Sequence, residues 1–344
     1  MGHSVYYHYS FPQRQDIVKK CGTDPISYST LQPGLKYFDF SSGYFAYQKR
    51  AGVAVVLGPP VCDRSHEVEA CHHFLKKYSN VVFSYIRKDL SEALTKSCTR
   101  PLYFCEIGTD LFVDTSSNGP FASKEINGAI KSAQRHGFHI EEVDLKTCAP
   151  GVLNQLKQIN DDFVNLSPTK REMTFLNRPM AFLDNQLSRF FVLLQNQQII
   201  GFTALDPYLS DTMHRNFLLN ILRFKKTKQW GVYIATVVAL NSLLREEGSS
   251  ELSLGFCPFR FQTDVNNLDA AYAHCVRRVA NSQEIFPFLN LRTLKESVST
   301  RSESRFLVSS VRNPWWALYA VLRAMNVASP RRIIQSTMSM WKQV

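Results

Sequence analysis

The sequence predicts a mixed α/β fold, two tandem lobes each built on a mixed sheet, with a C-terminal helical segment behind them. Three observations carry this. A hairpin–helix–strand order occurs twice along the chain. Apolar residues repeat with helical or alternating spacing between Gly and Pro punctuation. Finally, 344 residues at 44% hydrophobic and 20% charged suffice for two cores of ordinary size.

In the first half, Tyr44–Tyr47 and Val53–Leu57 are apolar runs joined by a polar turn, and the second stops at Gly58-Pro59-Pro60. In the second half, Phe190–Leu194 and Ile199–Leu205 are joined at Asn196-Gln197 and stop at Asp206-Pro207. Both read as antiparallel hairpins closed by a proline, which cannot donate to a ladder. The first hairpin leads into a helix over 65–78 and a strand over 81–86. The second leads past an apolar strand, 217–222, into a helix over 232–247 with Gly248 as C-cap, then into an alternating strand over 251–256. A further helix, 124–136, sets Ile126, Ala129, Ile130 and Ala133 on one face and ends at Gly137, before a strand at 138–143. The expected division is an N-terminal lobe at 1–149, a C-terminal lobe with the active cleft at 150–311, and a basic aromatic helical tail at 312–344. One continuous sheet without a boundary is the alternative.

Forty Lys and Arg against 29 Asp and Glu give a net charge of +11, and the excess is clustered. No acid lies from Thr212 to Leu244, a stretch holding Arg215, Arg223, Lys225, Lys226 and Lys228. None follows Glu303, beyond which come Arg305, Arg312, Arg323, Arg331, Arg332 and Lys342. Such clustering fits a polyanionic partner, nucleic acid or an anionic membrane, beside the plainer reading of a solvated basic face. Eight scattered cysteines without a CxxC pair read as reduced thiols of a cytoplasmic protein. No signal peptide opens the chain, the myristoylation pattern fails at Tyr6, and no apolar run reaches the length of a membrane span.

Several chemistries are excluded by spacing. His66-Glu67 and His72-His73 do not place two imidazoles four residues apart, because Ala70 stands where the second is needed, so no metal site is expected. Nucleophile elbows, Walker loops and dinucleotide-binding turns are all missing, and no cofactor is expected. What remains is the stretch from Arg223 through Lys225, Lys226, Lys228 and Gln229 to Gly231, between an apolar strand and a helix. Basic side chains and a glycine at a helix N-terminus make an anion-binding corner, or else a basic connecting loop. Asp206 and Asp211 precede it, at a strand end and in a loop where catalytic acids collect and turn-formers are commoner. Trp315, Trp316, Tyr319 and Trp341 stand near Arg312, Arg323 and Lys342, which suits either a membrane headgroup interface or a terminal helix docking its aromatic face on the second lobe.

Taken in order, Gly201-Phe202, Leu205-Asp-Pro-Tyr208, Asn220-Ile-Leu-Arg223, Gly231-Val232, Leu252–Phe259 and Phe288–Lys295 resemble the synthase domain of phosphatidylglycerol lysyltransferases and their stand-alone relatives. Ser41–Tyr44, Leu57–Pro60 and Arg135-His-Gly-Phe138 extend the resemblance over most of 35–312. It implies two tandem acetyltransferase-like (GNAT-like) lobes and transfer of an amino acid from aminoacyl-tRNA, as co-substrate, to a lipid or a small amine or hydroxyl acceptor. On that footing Arg223 or Lys295 would steady developing negative charge. Asp206 or Asp211, with His214, would hold the donor's α-ammonium or relay a proton. Arg215, Lys225, Lys226, Lys228, Gln229, Gly231 and Arg260 would meet the tRNA end. Two departures, His214 and Ser297 where lipid-modifying members tend to carry a basic residue, weigh against headgroup recognition. The acetyl-CoA loop is only partly matched by Lys228–Tyr233. The alternatives are a CoA-dependent N-acyltransferase and a tRNA- or membrane-binding adaptor on a decayed transferase fold. Peripheral contact with an anionic membrane is expected through 312–344.

Overall fold

The computed structural model describes residues 7–116, 121, 123–167, 170–182, 187–210, 214–225, 229–262, 269–281 and 289–327. One sheet of eleven strands runs through the molecule. The first half supplies β1 (Lys36–Phe40), β2 (Gly43–Arg50), β3 (Val53–Leu57), β4 (Val81–Ile86), β5 (Tyr103–Asp114) and β6 (His139–Val143). The second half supplies β7 (Arg189–Gln195), β8 (Gln198–Leu209), β9 (Arg215–Phe224), β10 (Glu251–Pro258) and β11 (Arg301–Ser309). Around it lie α1 (Phe11–Cys21), α2 (Glu67–Lys77), α3 (Lys88–Ser97), α4 (Lys124–Arg135), α5 (Pro150–Leu166), α6 (Gln229–Glu246), α7 (Ala270–Ala280), α8 (Leu289–Val298) and α9 (Pro314–Ala324).

The repeated order read in the sequence is present. β1, β2 and β3 are antiparallel, and α2 then carries the chain to β4, which pairs parallel with β3. Likewise β7, β8 and β9 are antiparallel, and α6 leads to β10, parallel with β9. Each parallel pair needs a helical crossover, because parallel strands cannot be joined by a tight turn.

The strand order, β1-β2-β3-β4-β11-β5-β10-β9-β8-β7-β6, does not follow the cut expected at 149/150. β6, before that cut, pairs with β7 at the far edge of the second unit. β11, after it, lies between β4 and β5, with Phe306 opposite Ile86 on one side and Glu106 on the other. The sheet is therefore continuous, and each sequence half places a strand in the other's unit. The apolar faces explain the exchange. Phe306 and Val308 complete the core made by Phe45, Phe74 and Phe83, whereas Ile126 and Ala129 of α4 pack with Tyr233, Val237 and Leu240 of α6.

The tail helix differs from the expected docking of its aromatic face on the second lobe. α9 buries Ala317, Leu318, Ala320, Val321 and Leu322 and lies against β2, β3 and β4 of the first unit as well as α7 of the second lobe, with its apolar rather than its aromatic face. Trp315 and Trp316 are left 42% and 41% exposed, with the Trp316 indole N–H donating to the Ala51 carbonyl at 2.9 Å. Residues 328–344, with Arg331, Arg332, Trp341 and Lys342, lie outside the described residues. No described helix is long and apolar enough to cross a membrane.

Candidate active site

β9 and β10 pair at only two positions, Phe217 with Leu252 and Leu218 with Ser253. Beyond them both strands carry an extra residue relative to their outer neighbours. Asn220 is skipped in the β8–β9 register, where Ala204 faces Ile221 and Leu205 faces Leu219. Leu254 is skipped against β5, where Ser253 faces Phe112 and Gly255 faces Leu111. Bulges bend and twist a strand and end its pairing, so two of them level with each other force the strands apart. Gly255 makes the turn of β10 at φ +77°, a conformation that a side chain would strain.

The gap is a cavity of about 300 Å³. Leu218, Asn220, Leu254 and Phe256 form its strand walls, with Phe259 just past β10; Met173, Leu176 and Asn177 close one side, and Met325 after α9 another. Its charged residues are Arg277 from the last turn of α7 and Arg292 and Lys295 from α8. The Lys295 ammonium donates to the Phe256 carbonyl at 3.2 Å. Burial pushes the Lys295 pKa below its ordinary value, against the pull of Cys257 and Asp110. Arg292 shares the Glu296 carboxylate with Arg260, at 3.0 and 2.7 Å. Arg277 has the Phe261 ring 5.9 Å away.

The residues singled out from sequence fall into four places. Lys295 lines the cavity, and Arg260 adjoins it through Glu296. Asp206 and Arg223 do not line it, but each fixes one end of the segment that does. Asp206, fully buried, takes a two-pronged bond from Arg178 at 2.5 and 2.9 Å and another from Ser188 at 2.6 Å. Burial works against the Arg178 charge, yet Asp206 outweighs it and holds the guanidinium pKa above normal. Arg223 bonds Glu172 at 2.6 Å with its guanidinium 4.2 Å over the Phe163 ring, and burial lowers its pKa. Between Glu172 and Arg178 lie Met173, Leu176 and Asn177 of the cavity wall. The Asn220 amide donates to the Arg178 carbonyl at 3.1 Å, tying the bulge to the same segment.

His214 and Arg215 stand elsewhere, exposed at the β8–β9 turn, where the His214 N–H donates to the Ser210 hydroxyl. At about 3.3 Å per strand residue this is roughly 20 Å from Asn220. Lys225 is exposed at the other end of β9, and Gln229 and Gly231 open α6, with open space beside Gly231. Asp211, Lys226 and Lys228 lie outside the described residues. No cluster of potential metal ligands occurs among the described residues.

Sequence reasoning missed Arg277, Arg292, Asn177 and Cys257. They come from four separate elements, and no local spacing links them.

A large mixed sheet opened between two parallel strands, with cations and amides at the opening, is the frame of the candidate site. The chain belongs to the family of phosphatidylglycerol lysyltransferase C-terminal domains, whose sequence model matches residues 15–309. Among solved structures it is similar to L-PGS from Bacillus licheniformis, with TM-score 0.71 and 18% identity over 92% of this chain and 96% of that one. It is also similar to the C-terminal domain of a protein described as a lysylphosphatidylglycerol synthetase from Agrobacterium fabrum, with TM-score 0.70 and 17% identity over 91% and 96%. FemX matches at TM-score 0.54 and 9% identity, over 91% of this chain and 98% of its own. A search of curated proteins gave no significant match.

Proposed function

We propose that this chain transfers an aminoacyl group from aminoacyl-tRNA to a lipid or a small amine or hydroxyl acceptor, in the cleft between β9 and β10. The observation that carries the reading is the Lys295 ammonium set in that cleft beside the bulged strands, in a family named for lysyl transfer.

The donor ester is already activated, so positioning and charge stabilisation can supply most of the acceleration. The acceptor's nitrogen or oxygen forms a bond to the ester carbonyl carbon, and negative charge gathers on the carbonyl oxygen. Lys295 in its ammonium form steadies that oxyanion. The C–O bond to the terminal ribose then breaks, and the ribose oxygen takes up the proton the nucleophile releases. Asp206 and Arg223 act as positioning residues, through Arg178 and Glu172, by fixing the wall that holds Asn177. The tRNA end approaches along Lys225, Lys226 and Lys228, and the +11 charge supports association with a polyanion.

A lipid acceptor would come from a peripherally bound membrane. The half-exposed Trp315 and Trp316, with Arg312 before them and Trp316 bonded to the Ala51 carbonyl next to Arg50, offer the apolar and cationic groups that a headgroup region takes up. The deciding experiment offers the full chain a mixed pool of radiolabelled aminoacyl-tRNAs, with extracted lipids and a polar metabolite extract supplied separately. Label moving into either fraction supports the proposal. Labelled tRNA bound but never consumed favours an adaptor, and tight CoA binding without use of tRNA favours a CoA-dependent acyltransferase.

A further inference from the structure

Resting on that reading, we propose that the amino acid this chain transfers is acidic, aspartyl or glutamyl, and that Arg277 is a specificity-determining residue that receives its side-chain carboxylate. The cavity is positive on the side formed by α7 and α8. Three cations line it, and among the described lining residues there is no carboxylate; the other polar side chains are the amides of Asn177, Asn220 and Asn281 and the Cys257 thiol.

Two described acids interact with these cations, and each already holds an arginine. Glu296 accepts from both Arg260 and Arg292. Asp110, whose charge acts on Lys295, accepts from Arg305 and from the Tyr85 hydroxyl. Arg277 makes no ion pair among the described residues, and its guanidinium lies 5.9 Å from the Phe261 ring. The carbonyl end of α7 favours a cation there without neutralising it. A lysyl or arginyl side chain in this space would meet like charge without an acid among the described lining residues, while a carboxylate would find the Arg277 guanidinium within its walls. Electrostatic complementarity of this kind acts chiefly by rejecting the wrong partner.

The test offers the full-length protein aspartyl-, glutamyl-, asparaginyl-, leucyl-, lysyl- and arginyl-tRNA one at a time, with the same acceptor extract. The expected result is use of an acidic donor at least about tenfold faster than of either basic donor. Arg277 is exposed, so Arg277→Gln folds; it should slow acidic donors about tenfold more than asparaginyl or leucyl donors. Lysyl or arginyl transfer equal to or faster than aspartyl and glutamyl would overturn the inference. So would an equal loss for every donor in Arg277→Gln, since the guanidinium would then serve the tRNA backbone. Should no donor be consumed, the transfer reading itself fails. The charge preference is then read by calorimetry with the amide analogues of 3′-aspartyl- and 3′-lysyl-adenosine, where equal affinity overturns it and tighter binding of the aspartyl analogue upholds it.

Discussion

The two parallel strand pairs of the sheet are built alike and end differently. β3 and β4 stay paired over four positions, Ala54 to Leu57 with Val81 to Ser84, while β9 and β10 stay paired over two. In both, the fifth residue of the later strand has a positive φ: Tyr85 at +63° in β4 and Gly255 at +77° in β10. Each lies at an irregularity in its ladder. In the first unit a tyrosine fills the place. Its ring is fully buried, its hydroxyl bonds Asp110, and the Arg305 guanidinium lies 4.7 Å over it, itself held by Asp110 and Asp24 at 2.7 and 2.9 Å. In the second unit the place is a glycine, and Lys295 reaches to within 3.8 Å of where a Cβ would stand. One bulge is plugged by a buried ionic cluster and the other left open, which turns the second into a cavity.

Breaking the plug should cost most. Arg305→Met leaves Asp110 and Asp24 buried without their cation, and should lower stability by about 3–5 kcal/mol in denaturant titration. A change below about 1 kcal/mol would mean the cluster is not what closes the first unit.

In the open unit, Lys295→Met should reduce transfer about 10²- to 10³-fold, the usual loss on removing an oxyanion donor. Its stability should not fall. The folded pKa of Lys295 is depressed, so the charged form costs stability below that pKa, and the cost is relieved as pH rises towards the unfolded value of about 10.4. Melting at neutral pH should therefore be unchanged or higher in the variant, and a fall would mark Lys295 as structural. For the same reason transfer, corrected for spontaneous ester hydrolysis, should decline at a pH below the ordinary lysine range. Lys295→Arg should remove that alkaline decline if it retains transfer.

Gly255→Ala should cost about 1–2 kcal/mol, because alanine is strained at this φ, and should slow transfer by crowding Leu218 and displacing Lys295. Tyr85→Phe, which removes one hydrogen bond to Asp110 and keeps the ring, should cost about 1 kcal/mol and leave transfer unchanged. Equal effects of these two on transfer would mean that the plugged and open bulges are not functionally distinct.

The repeated units were legible because their hairpins, crossover helices and last strands carry strong local marks. Val81–Ile86 is a β-branched and aromatic run broken only by Ser84, and α6 has apolar residues at helical spacing closed by Gly248. β5 and β11 left no such mark. Glu106, Gly108 and Asp110 interrupt the first, and Arg301, Glu303 and Arg305 the second, so charges that end up paired inside the sheet read as surface. The exchange of β6 and β11 is a property of long-range packing, which periodicity does not record. In the site, Lys295 came from resemblance to a family. The sequence could equally not tell that Asp206 and Arg223 face ion-pair partners, Arg178 and Glu172, that lie 28 and 51 residues away.

The insertion of β11 between β4 and β5 also fixes an order of events during synthesis. Ser309 must meet Val82 and Tyr103, so the first unit lacks its central strand until more than 200 further residues have left the ribosome. Until then β4 and β5 present open edges able to pair with any other extended chain. Contacts of such sequence separation make for slow folding. A chain that stops before Arg301 would leave its first unit unfinished, and nascent copies would depend on chaperones for longer than the tidy internal repeat implies.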